Sequence, residues 1–81
     1  MSKIQKAIDR FRQNDRNVRF DEMDTLLIHL GFERRSRGSS HFVYKMEGVP
    51  NIIIPFRKPF LLPIYVKNII EIIDEYLEEQ E

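Results

Sequence analysis

The architecture of this chain is clearest in residues 41–54, which read HFVYKMEGVPNIII. The first six of them alternate between two sets of side chains. One set is mainly apolar (Phe42, Tyr44 and Met46), and the other places Val43 between two polar residues, His41 and Lys45. A period of two is typical of a β-strand that buries one face. The segment therefore predicts a strand whose second face, with the histidine and the lysine, stays open.

Two further strands are predicted on either side of this one. Residues 48–51 contain a proline followed by an asparagine and predict a turn of hairpin length. Ile52 to Ile54 are β-branched and favour a strand, which Pro55 ends or confines to a sheet edge because proline cannot donate to the ladder. Upstream, residues 32–36 can form a short strand, and residues 37–40 are a Gly/Ser turn. We expect three antiparallel strands.

Three amphipathic helices are predicted outside the strands. The first carries Ser2 and Gln5 as a capping box, and residues 14–17 close it with a polar turn. The second has Asp21 as its N-cap and ends at Gly31, a residue suited to a left-handed stop. The last begins near Pro63. Apolar stripes mark all three: Ile4, Ala7, Ile8 and Phe11; Met23, Leu26, Leu27 and Leu30; and Val66, Ile69, Ile70, Ile73 and Leu77.

The predicted order is α-α-β-β-β-α, an α+β fold with the helices on one face of the sheet. Without the first helix it is the α-β-β-β-α order of double-stranded RNA-binding domains. Eighty-one residues allow a single domain, in which residues 1–20 are an added helix and turn and residues 21–81 are the core.

Composition excludes several classes of protein. The chain has no cysteine, which rules out disulfides and thiolate metal sites. Its apolar runs are far shorter than the ~20 residues of a membrane span, and the N-terminus carries charges in place of an apolar signal segment. We expect a cytoplasmic protein.

The formal net charge is zero, but the charges are segregated along the chain. Residues 1–20 sum to +4, residues 21–33 to −4, residues 34–58 to +5 and residues 59–81 to −5. Such segregation lets a neutral protein present a basic face to phosphate. The alternative is that acidic helices and basic loops form an ordinary solvated surface.

Of the two histidines, His41 has the setting that suggests chemistry. His29 lies off the apolar stripe of its helix and is predicted to be a surface residue. His41 opens a strand and shares a face with Lys45, so it can serve as acid or base in RNA cleavage because histidine titrates near neutral pH. Neighbouring cations would hold the phosphate. The alternative is a surface imidazole at a turn.

Other chemistry has little support. The histidines lack the paired spacing of a metal site, the glycines are isolated rather than clustered in a phosphate loop, and no nucleophile elbow surrounds the serine at position 40. The acids of the last helix are predicted to form a solvated face: Glu71, Asp74, Glu75, Glu78 and Glu79.

Taken in order, these features resemble the HicA toxins over about residues 21–80. The match comprises the Gly31-Phe32 helix exit, the basic run that follows it, the turn Gly38-Ser39-Ser40-His41, the aromatic strand, the segment Ile54-Pro55-Phe56 and the closing helix. The turn within this ordered context is the most specific part. The chain departs from the family in its first 20 residues and in having one histidine where many members carry two adjacent ones.

The resemblance implies a double-stranded-RNA-binding-like fold and an mRNA interferase (a ribonuclease that cuts mRNA) with no cofactor and no metal. It also implies a HicB-type antitoxin that covers the site. His41 matches the active histidine of the family. The residues expected to hold RNA are Arg34, Arg35, Arg37, Ser39, Ser40, Lys45, Arg57 and Lys58.

Three hypotheses follow. In the first, a ribose 2′-hydroxyl attacks the adjacent phosphate, His41 moves the proton, and Lys45 with Arg57 or Lys58 stabilises the phosphate. In the second, the same face binds RNA without cutting it. In the third, the chain is a protein-interaction domain whose acidic last helix and extra first helix meet a partner.

Overall fold

The computed structural model describes residues 3–37 and 40–76. Its elements are α1 (Lys3–Gln13), α2 (Phe20–Leu30), β1 (Glu33–Arg37), β2 (His41–Met46), β3 (Val49–Pro55) and α3 (Pro63–Tyr76). The α+β class and the order α-α-β-β-β-α are confirmed. So are the bounds of β2 and the start of α3 at its proline. Ser2, Leu77, Glu78 and Glu79, which carried predictions, lie outside the described residues.

The three strands form an antiparallel sheet in the order β1-β2-β3, with β2 in the centre. Val43 of β2 lies opposite Arg35 on one side and Ile53 on the other. Residues directly opposite in a sheet share a face, so this register determines which cations accompany His41.

The predicted turn at residues 48–51 is wrong, because β3 already begins at Val49. The chain reverses at Glu47 and Gly48 instead, and Gly48 has a φ of 82°, which favours glycine. Pro50 therefore lies inside a strand. The sheet tolerates it there because β3 is an edge strand and the pairing with β2 is irregular between Tyr44 and Met46.

The bounds of α2 and β1 also differ from the prediction. The N-cap of α2 is Arg19, not Asp21, because the Glu22 carboxylate accepts a 3.0 Å hydrogen bond from the Arg19 backbone N–H and closes the first turn. At the other end, Gly31 stops the helix as predicted, with a φ of 109°. Phe32 is part of the C-terminal cap of α2, because its N–H donates a 3.0 Å hydrogen bond to the Leu27 carbonyl. As a result, β1 begins one residue later than predicted.

The core lies between one face of the sheet and the helices. Tyr44, Ile52 and Ile54 point from the sheet into it, and the predicted apolar stripes of α2 and α3 contribute their buried residues. The opposite face of the sheet is covered by none of the described elements. None of the described helices has the length and apolar character needed to cross a bilayer.

The added helix α1 is part of the same core. Ile8 and Phe11 are buried in it. Two ion pairs reinforce the contact, Arg10 with Glu22 of α2 at 2.5 Å and Arg12 with Asp74 of α3 at 2.6 and 2.8 Å. Asp74 is predicted to belong to a solvated face, but its carboxylate binds Arg12 of α1 instead.

Candidate functional site

The uncovered face of the sheet carries His41, as the alternation in β2 predicts. His41 and Lys45 are exposed there, and Val43 between them is only 6% exposed. The three residues line a shallow depression of about 440 Å³ together with Asn51 and Ile53 of β3. We call this surface the open face.

His41 lies at the end of the open face and is held on two sides. Its Cα partners are Arg37 of β1 and Pro55 of β3. Its Nδ1 lies 3.3 Å from the Ser40 hydroxyl, and the Ser40 carbonyl accepts a 2.6 Å hydrogen bond from the Phe56 N–H. No hydrogen bond joins Nε2 to a described residue, so this nitrogen is the one that can meet a substrate.

Two predicted cations, Lys45 and Arg35, share the open face with His41. Lys45 is four residues further along β2, a separation of ~13 Å in an extended strand. The side chains of His41 and Lys45 nevertheless line the same depression. Arg35 lies opposite Val43, and its guanidinium pairs with Glu33 at 3.1 Å, both side chains being exposed.

Arg34 is on the opposite face of the sheet, away from His41. It lies opposite Tyr44, and its Nη1 is 3.0 Å from both carboxylate oxygens of Asp24 in α2. The buried Tyr44 hydroxyl donates to the same carboxylate at 2.7 Å. Arg34, which is predicted to hold RNA, therefore joins a network between sheet and helix and does not share the open face with His41.

This network makes a testable contribution to stability. Burial disfavours the Tyr44 phenolate, and the hydrogen bond to Asp24 adds to this effect, so the pKa of Tyr44 is raised above its ordinary value of about 10. Tyr44→Phe should lower the free energy of unfolding by about 1–2 kcal/mol at neutral pH. Urea titration measures it, with Tyr65→Phe as the control.

The raised pKa also sets the pH dependence of this difference. The unfolded chain releases the tyrosine proton first, so the Tyr44 contribution is complete below pH ~10 and is lost as the pH rises further. The stabilities of wild type and Tyr44→Phe should therefore converge between pH 9 and 11. A difference that stays constant over this range would contradict the assigned direction.

Arg57 and Lys58 follow β3 and lie at the same end of the sheet as His41. They line a cleft of about 380 Å³ whose other wall is the start of α2, with Arg19, Phe20 and Asp21. Arg19 is not among the RNA-binding residues predicted from the sequence. Arg19 precedes Phe20, whose ring packs on that of Phe56 with centres 5.0 Å apart, so it lines the same cleft as Arg57.

The side chains of two further predicted RNA-binding residues, Arg37 and Ser39, are not described by the structure. Arg37 is described by its backbone alone, and Ser39 lies outside the described residues. His29 is exposed on α2, as predicted, and faces a groove between α1 and α2 rather than the sheet. Across residues 3–37 and 40–76, no three His, Asp or Glu side chains are grouped to hold a metal ion.

The arrangement therefore offers one imidazole with an accessible nitrogen, cations on both sides of it, and an apolar centre on the open face. It suits the binding of a phosphodiester strand and a single proton transfer. Comparison of the chain with protein-family models, with curated proteins and with solved structures returned no match.

Proposed function

We propose that this chain is a cytoplasmic endoribonuclease of the HicA toxin type that cuts mRNA without a metal ion and is held in check by a HicB-type antitoxin. The observation that carries the proposal is the exposed imidazole of His41 at the end of an uncovered sheet face, with Arg57 and Lys58 close by. Support also comes from the resemblance of residues 21–80 to that family.

The proposed reaction begins with attack of the ribose 2′-oxygen on the adjacent phosphorus. Its proton passes to Nε2 of His41 when Nδ1–H donates to the Ser40 hydroxyl, since Nε2 then carries the lone pair. The bond from phosphorus to the 5′-oxygen breaks, and that oxygen takes a proton from water. The hydroxide so formed is neutralised by the imidazolium. The products are a 2′,3′-cyclic phosphate and a 5′-hydroxyl end.

The cations stabilise the charge that develops on the phosphate oxygens. Arg57 is one candidate for this role, because it follows Pro55, the partner of His41, by two residues. Lys45 lies further along the open face and binds the RNA backbone there.

The apolar centre of the open face supports the proposed antitoxin. Ile53 is 55% exposed and lies beside Val43, with polar residues around them. An apolar centre with a polar rim is typical of a surface that a protein partner buries. An antitoxin seated there would cover His41 and Lys45 together.

The test uses purified protein and RNA labelled at its 5′ end, in the presence of EDTA. We expect cleavage that leaves a 2′,3′-cyclic phosphate and is abolished by 2′-O-methylation of the RNA, because the attacking group is then blocked. Binding without cleavage would overturn the nuclease in favour of an RNA-binding module. Absence of both would favour a protein-interaction domain.

A further inference from the structure

The cleft between the start of α2 and the segment after β3 carries an excess of positive charge. Arg19, Arg57 and Lys58 face it together with one acid, Asp21. Within the described part of the chain, none of these three cations forms an ion pair. By contrast, Arg10, Arg12, Arg34 and Arg35 each bind a carboxylate. Three neighbouring like charges repel one another, and a bound anion relieves that repulsion.

The cleft is next to His41. The Phe56 N–H bonds the Ser40 carbonyl, and Pro55 lies opposite His41, so the backbone of Arg57 is ~10 Å from that of the histidine. This is the opposite direction from Lys45. An RNA strand that continues past His41 and turns around the end of β3 would reach the cleft.

The cleft also has a rigid aromatic wall. Phe56 is 39% exposed, and the rings of Phe20 and Phe42 hold it at centroid distances of 5.0 and 6.4 Å. The Lys58 ammonium lies 5.7 Å from the centre of its ring. An exposed aromatic ring beside cations is the combination with which proteins hold single-stranded nucleic acid.

The backbone amides at the start of α2 contribute less to anion binding in the cleft than the basic side chains do. The Arg19 backbone N–H already donates to the Glu22 carboxylate, which satisfies one of the free amides at this helix end and adds negative charge there. Anion binding in the cleft therefore depends on the Arg19 guanidinium, Arg57 and Lys58.

We infer that this cleft is a second phosphate subsite, which binds the RNA backbone on the far side of His41 from Lys45, with Arg19 as its specific contact. The inference rests on the proposed ribonuclease function and extends it to the path of the substrate. A single-stranded RNA would lie along the open face, pass His41 at the scissile phosphate, and bend around the end of β3 between Arg19 and Arg57.

The test compares Arg19→Gln with Arg16→Gln, which removes the same charge from an exposed residue that does not line the cleft. The probe is a fluorescent 2′-O-methyl RNA, which the proposed reaction cannot cut, titrated with protein from 50 to 200 mM salt. Loss of one phosphate contact should weaken binding about fivefold near 0.1 M salt and reduce the salt slope by about 0.7. Arg16→Gln should match wild type.

Arg19→Lys keeps the charge and should restore most of the affinity, a result that a merely structural role of Arg19 would not give. Thermal melting checks folding, and Lys58→Gln provides the same measurement if Arg19→Gln does not fold. If the wild type binds and cuts RNA, but Arg19→Gln and Arg16→Gln have equal RNA affinities and equal salt slopes, the subsite alone is overturned. A wild type that does not bind RNA would overturn the proposed function and the subsite together.

Discussion

His41→Ala should lower the rate of RNA cleavage by about 100-fold or more while RNA affinity changes less than twofold. General acid–base catalysis by a positioned side chain typically contributes 10²–10⁴-fold. In this chain His41 is the one imidazole on the open face within the described residues. Because the cations and not the histidine supply the phosphate contacts, binding is expected to survive. Single-turnover cleavage and anisotropy titration measure the two quantities separately.

His29→Ala is the matched control, since His29 is exposed on α2 and faces away from the sheet. It should cleave at the wild-type rate. The same comparison can be made in cells by induced expression, where growth arrest and loss of mRNA should require His41 alone. Equal cleavage by wild type and His41→Ala would show that the proton is moved by another group.

Phe11→Ala should reduce the free energy of unfolding by about 3–5 kcal/mol, the range for removing a buried phenylalanine. Phe11 is 1% exposed and fills the contact of α1 with the rest of the core. A domain of this size has little stability to lose, so the variant should be largely unfolded at 37 °C. Urea titration followed by circular dichroism measures the change.

Ile64→Ala is the control, because Ile64 is 68% exposed and its truncation should cost less than about 0.5 kcal/mol. If Phe11→Ala is too unstable to titrate, Phe11→Leu gives a smaller change of about 1–2 kcal/mol. A small effect of both Phe11 variants would mean that α1 is an appendage and not a part of the core. The expected result would show that α1 is a structural part of the domain.

The elements that sequence reasoning located correctly are those with a strong local signal. The period of two in His41–Met46 and the proline at the start of α3 each act within a few residues, so their bounds could be predicted. The bounds of the turn after β2 could not be predicted, because the turn closes at Gly48, two residues before Pro50, and a strand tolerates that proline only at the edge of this sheet.

The candidate site shows the same division. That His41 and Lys45 share one face of β2 follows from alternation, which any strand obeys. The β1–β2 register decides the positions of the two arginines. It places Arg34 on the helix side, where its guanidinium binds Asp24 beside Tyr44, and it leaves Arg35 on the open face. That register depends on how the hairpin closes and on what the helices cover, so charge counts along the chain could not assign these arginines.

The amino-acid sequence alone therefore determined the order of the elements, the buried stripe of each helix and the face on which His41 lies, because all of these depend on spacing along the chain. Three features arise only from packing: the strand register, the attachment of α1 through Arg12 and Asp74, and the placement of Arg19 and Arg57 around one cleft. Such contacts join residues far apart in sequence, and local preferences carry no information about which distant side chains will meet.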